Sequence, residues 1–108
     1  MINKDEFYDE IIESQKIGHF TERAVDLLNE MSERIMAKYN LALVDGINRE
    51  EISAFMVAST QKQLMRFNPE ITGKKETAFS YFSYILRSYF VGKWLKIKKE
   101  AMKKTETV

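Results

Sequence analysis

The chain has 108 residues, 44% of them hydrophobic and 31% charged, and it contains no cysteine; this describes one small globular domain and excludes disulfides, thiolate nucleophiles, zinc fingers and iron–sulfur clusters. The longest purely apolar run, Ala54 to Ala58, is five residues against the roughly 20 needed to cross a bilayer. The start MINKDEFYDE lacks the basic-then-apolar order of a secretory signal or transit peptide, so a soluble chain that acts where it is made is expected. The formal net charge of +1 conceals a division, because residues 1–61 hold 6 Lys/Arg against 12 Asp/Glu whereas residues 62–108 hold 11 against 4.

Three helix starts share one pattern, a capping residue between two apolar residues five apart that pack across the first turn. Asn3 lies between Ile2 and Phe7, Thr21 between Phe20 and Val25, and Asn48 between Ile47 and Ile52. Glu6 and Glu51 complete two capping boxes by standing three residues after Asn3 and Asn48. The first helix is predicted from Lys4 to Ile17, with Phe7, Ile11, Tyr8 and Ile12 on one stripe and Gly18 as its stop. The second is predicted from Glu22 to about Tyr39, with Ala24, Leu27, Leu28, Met31, Ile35 and Tyr39 at helical spacing. The segment NLALVDGI carries an Asp-Gly turn signal, and a third helix follows from Arg49 to about Arg66. Asn68-Pro69 ends it, since proline holds its predecessor in extended conformations. After the polar loop EITGKKE, a last helix starts at Thr77 or Ala78 and continues past Lys99, with residues 101–108 a frayed basic tail. No period-two pattern competes, so the prediction is a single all-α domain over residues 1–108, a compact bundle of about four helices.

The last helix is unusual. Seven of the 13 aromatics, Phe79, Tyr81, Phe82, Tyr84, Tyr89, Phe90 and Trp94, fall within sixteen residues. At about 100° per residue, Phe79, Phe82, Leu86, Tyr89, Phe90 and Ile97 share one side and form a core stripe. Tyr81, Tyr84, Val91 and Leu95 form a second stripe on nearly the opposite side, so the helix is either central in the bundle or keeps an apolar face for a partner. Arg87, Trp94 and Lys98 stand in line between the stripes, flanked by Lys93, Lys96 and Lys99. Rings interleaved with cations suit single-stranded nucleic acid, where stacking contributes roughly 1–3 kcal/mol per base. The competing reading is a core helix whose basic C-terminal turns complement its own dipole.

Other chemistry is poorly supported. His19, the single histidine, has no cysteine or His-x-x-x-His partner and reads as a helix-terminal residue, so no metal or other cofactor is expected. There is no Gly-rich phosphate loop, no Gly-x-Ser-x-Gly elbow and no HExxH. The carboxylates Asp5, Glu6, Asp9, Glu10 and Glu13 read as a solvated helix face, not the concave setting of acid–base catalysis, and a non-enzyme is expected.

From Asn48 to Glu100 the order of motifs resembles region 2 of bacterial sigma factors. In that family an acidic pair opens a helix that ends in Phe-Asp-Pro-Glu; a Gly/Lys loop and an aromatic helix leading to Arg follow. Here these are Glu50-Glu51, Phe67-Asn68-Pro69-Glu70, Thr72-Gly73-Lys74-Lys75 and AFSYFSYILR. Leu64, Phe67, Asn68, Ser80, Tyr81, Phe90, Val91, Lys98, Lys99 and Glu100 are similar in style to the short sigma factor that T-even-like bacteriophages use for late transcription.

The resemblance implies a specificity subunit with two partners. Bacterial core RNA polymerase would be bound through the coiled coil of its largest subunit by Glu50, Glu51, Ala54, Phe55, Gln61 and Lys62. Here Ala54-Phe55-Met56-Val57 replaces the family's polar stretch, so apolar contact is expected in place of charge pairing. Promoter DNA, mainly the opened non-template strand of an AT-rich minus-ten-like element, would be bound by Tyr81, Phe82, Tyr84, Arg87, Lys93, Trp94, Lys96, Lys98 and Lys99. Tyr81 aligns with the aromatic that stacks a flipped adenine, while anchoring on Phe79-Ser80 assigns that role to Phe82. Tyr84 aligns with a tryptophan of the same wedge and Arg87 with the family's arginine, and the lysines would hold phosphates. The resemblance further implies the cytoplasm of an infected bacterial host and admits a phage co-activator. No separate helix-turn-helix domain is expected, and MKKTETV carries no apolar clamp-binding epitope. A helical adaptor that keeps the polymerase contact without reading a promoter is the alternative, and a self-associating structural protein using the second stripe is a third.

Overall fold

The computed structural model describes residues 2–39, 48–68, 70 and 76–106, with side chains as far as Glu100. The Asp45-Gly46 turn signal, the Ile47 half of the third cap, Pro69 and the Gly73 loop lie outside the described residues. Four helices, α1 (Lys4–Ile17), α2 (Glu22–Met36), α3 (Arg49–Gln61) and α4 (Glu76–Glu106), pack with a short 3-10 turn, Leu64–Arg66, and there is no strand among the described residues.

Each predicted cap forms. Asn3 accepts from the backbone N–H groups of Asp5 and Glu6, Thr21 from Ala24 and Asn48 from Glu51. The Glu6 carboxylate, assigned by its spacing to a capping box, instead accepts a 2.6 Å bond from Arg23 Nε, joining α1 to α2. That hydrogen bond and the accompanying charge raise the Arg23 pKa above its usual value. Gly18 ends α1 at φ +85°, in the left-handed region that glycine enters without a Cβ penalty.

The α1–α2 joint is fastened by three side chains. Buried Ser14 donates to the Glu10 carbonyl at 2.7 Å and accepts from the Thr21 N–H at 3.0 Å, while the Thr21 hydroxyl donates to the Glu10 carboxylate at 2.7 Å. Glu10 is therefore a structural acceptor. Asp5, Asp9 and Glu13 are the members of the acidic series left exposed.

The core is built from one stripe of each helix: Phe7 and Ile11 of α1, Ala24, Leu27, Leu28 and Met31 of α2, Ile52, Met56 and Val57 of α3, and Ala78, Phe82, Leu86 and Phe90 of α4. Two ends differ from prediction. The chain leaves α2 through tight i to i−3 turns, Lys38 N–H to the Ile35 carbonyl and Tyr39 N–H to the Met36 carbonyl, which lays Tyr39 against Phe90 at 4.7 Å. The third helix stops at Gln61, and the 3-10 turn brings Leu64 and Phe67, three residues apart, into the core together. Gln15 holds this turn by donating from Nε2 to the Leu64 and Phe67 carbonyls at 2.9 and 2.7 Å. At its other end α4 runs past Ile97, its last packed residue among the described side chains, and the backbone remains helical to Glu106.

Candidate functional site

The inner face of α3 is fixed by Ile52, Ser53, Met56, Val57, Ser59 and Thr60, which recur every three or four residues and are buried. Ser53 donates to Asn29 of α2 at 2.9 Å and sets the rotation of the helix. The opposite face is thereby turned outward. Glu50, Glu51, Ala54, Phe55, Gln61 and Lys62, the six positions singled out from the sequence, are all exposed on it. The apolar stretch Ala54–Val57 is divided, however: Met56 and Val57 belong to the core, and only Ala54 and Phe55 are available for apolar contact.

Phe55 is 39% exposed and connects α3 to α4. Its ring lies edge-on to Tyr89 at 6.3 Å and carries the Lys93 ammonium 5.2 Å above it. With Lys96 these residues line a cleft of about 260 Å³ between the two helices.

The nine candidate positions on α4 separate by burial. Phe82 is fully buried, with the Phe7, Phe20, Phe67 and Tyr81 rings between 5.1 and 6.2 Å away. It is therefore a core residue, and a base could stack on it only by opening the core; the register that gave it the stacking role is corrected on this ground. Tyr81 is half-buried, tilted against Phe67 at 5.2 Å. Trp94 is half-buried and stacks on Phe90 at 6.4 Å with an interplanar angle of 14°, so one of its faces is occupied. Lys93 is half-buried over Phe55. Tyr84, Arg87, Lys96, Lys98 and Lys99 are exposed, Tyr84 to 73%.

The second apolar stripe of α4 is divided: Tyr81 and Val91 are half-buried against the core, and Tyr84 and Leu95 face outward, 73% and 59% exposed. Arg87 and Lys98 border this stripe, whereas Lys93 and Lys96 overhang the α3 cleft. Tyr84 is the one exposed ring of α4 among the described residues, and with Arg87 beside it this surface can stack a planar group and hold an adjacent anion.

Packing also assembles something absent from the sequence reading. Arg34 and Lys38 of the acidic half come beside Arg87 around a groove of about 470 Å³ between α2 and α4. Their spacing of four on α2 was visible, but only the docking of α2 against α4 gives them Arg87 as a neighbour. His19 shares a 3.0 Å hydrogen bond between Nδ1 and the Phe20 carbonyl, as a helix-joint residue. Among the described residues no group of three or more His, Cys, Asp and Glu could hold a metal ion, and no helix is long and apolar enough to cross a membrane. Comparison with protein-family models, curated protein sequences and solved structures gives no match.

Proposed function

We propose that this chain is a minimal transcription initiation factor of the sigma type. The outward face of α3 docks on the coiled coil of the largest subunit of bacterial core RNA polymerase, and the exposed face of α4 captures the non-template strand of an opened, AT-rich minus-ten-like promoter. The chain performs no bond chemistry itself; it supplies position and strand capture to the polymerase. In the phage late-transcription setting that the motifs resemble, it works in the cytoplasm of the infected host.

The observation that carries this reading is the separation of two exposed faces on adjoining helices. All six docking positions lie on one of them. Tyr84, Arg87 and Lys98 lie on the other. Tyr84 offers an open ring for a base taken out of the duplex, with Arg87 three residues away on the same surface for its phosphate. Tyr81, braced by Phe67, forms the rigid side of such a wedge.

Two variants test the assignment by co-elution with bacterial core polymerase and by retention of a pre-melted promoter. Phe55→Asp should abolish co-elution, whereas Tyr84→Ala should preserve it and weaken strand capture about tenfold or more. The partial covering of Tyr81 and Trp94 favours the adaptor reading, which differs in one outcome: capture unchanged by Tyr84→Ala. Failure of the unaltered chain to co-elute with core polymerase would overturn both readings.

A further inference from the structure

The groove between α2 and α4 has a different character from the two faces above. Its floor is apolar, formed chiefly by Met31, Ile35 and Phe79, and its rim carries three cations, Arg34, Lys38 and Arg87. Lys38 and Arg87 take part in no salt bridge among the described residues, and Arg34 holds only the exposed Glu30 on its own helix at 3.1 Å. Two of the three cations belong to the half of the sequence with a net charge of −6. Their approach to Arg87 concentrates positive charge around an apolar slot that no carboxylate lines among the described residues.

We infer that this groove docks an acidic amphipathic peptide, which packs bulky apolar side chains on Met31, Ile35 and Phe79 and lays carboxylates against Arg34, Lys38 and Arg87. Charge complementarity selects the sign of the partner, and the wall chemistry selects its class. A base stacking on the floor needs an open ring there, but the Phe79 ring meets the Phe7 ring edge-on at 6.2 Å and carries the Lys4 ammonium 5.2 Å above it, and the one open ring, that of Tyr84, stands at the rim beside Arg87. What remains along the floor is largely aliphatic, and it suits leucine-like side chains better than nucleobases. A second copy of this chain is disfavoured on the α4 side, since Arg87 and the lysines after it would face their own equivalents. Helix-in-groove docking, with apolar anchors at i, i+3 or i+4 and i+7 and glutamates beside them, matches the long slot between two helices.

The inference stands on the groove alone and is independent of promoter binding. It carries a consequence for the proposed function, because Tyr84 and Arg87 line the groove as well as the strand-capturing face. Peptide and single-stranded DNA therefore compete, each weakening the other by the same factor.

The test uses a fluorescent helical peptide with leucines at i, i+3 and i+7 flanked by glutamates, the same peptide with lysines for glutamates, and a labelled oligothymidine, each titrated against the full chain by anisotropy. The acidic peptide should bind, the lysine version should not, and Arg34→Glu with Lys38→Glu should weaken binding about tenfold. These two side chains are exposed, so the fold survives their reversal, as unchanged helicity would verify. Ser83→Phe, which fills the groove without altering charge, should abolish peptide binding as well. No binding of the acidic peptide, or binding indifferent to both the charge reversal and the filling, would overturn the inference. Oligothymidine binding that depends on Arg34 and Lys38 while the peptide fails to bind would also overturn it and assign the groove to nucleic acid. Loss of oligothymidine binding alone, with peptide binding intact, would count against promoter capture and leave the groove assignment supported.

Discussion

Gln15 illustrates what a single side chain does for this fold. Its amide satisfies two carbonyls of the 3-10 turn across 49 and 52 residues of sequence. Gln15→Leu should therefore lower the unfolding free energy by about 1–3 kcal/mol, the penalty for stranding buried acceptors, with urea denaturation as the measurement. Gly18→Ala meets no atom within 4 Å, so its effect is confined to the backbone at φ +85° and should be about 1 kcal/mol. Gly18 was legible in the sequence as a helix stop because its conformational role is local. Gln15 was not, since nothing in a polar residue on a half-buried helix face shows which distant carbonyls it will reach.

At the scale of the helix, α4 combines two apolar stripes of different fate. Leu86→Ala in the inward stripe should lower stability by about 2–5 kcal/mol through the cavity it leaves. Tyr84→Ala in the outward part of the second stripe should stay within about 0.5 kcal/mol of the parent in the same thermal or urea experiment. Equal effects at the two positions would mean that Tyr84 is packed. Periodicity identified both stripes, and it placed Phe82, Leu86 and Phe90 correctly in the core. It could not decide between a central helix and one with a spare face, because that depends on how the other three helices surround α4. The same limit explains Phe82, which motif order alone admitted as a stacking ring and which four neighbouring rings enclose. The capping residues fixed the starts of α1 to α3 to the residue. The end of α3 escaped because burial of Leu64 with Phe67 requires a tighter turn than an α-helix provides.

For the molecule as a whole, the division of charge along the sequence biases the surfaces, although exposed Lys4, Lys16, Arg23 and Arg49 lie in the acidic half and exposed Glu76 and Glu100 on α4. Exposed Asp5, Asp9, Glu13, Glu50 and Glu51 lie on α1 and α3, and exposed Arg87, Lys96, Lys98 and Lys99 lie on α4. Arg34 and Lys38, also of the acidic half, join Arg87 at the α2–α4 groove. Replacing Lys96, Lys98 and Lys99 together by Gln should leave stability near that of the parent chain. It should reduce the salt dependence of single-strand binding by a slope of about 0.7 for each phosphate that is no longer neutralised, measured as log K against log salt. The most direct measurement is run-off transcription by bacterial core polymerase, with and without this chain, on matched AT-rich promoters that are duplex or pre-melted. A sigma-type factor gives chain-dependent initiation at one fixed start, at least on the pre-melted template, and loses it with Tyr84→Ala. Transcription that is the same with and without the chain on both templates would contradict that function.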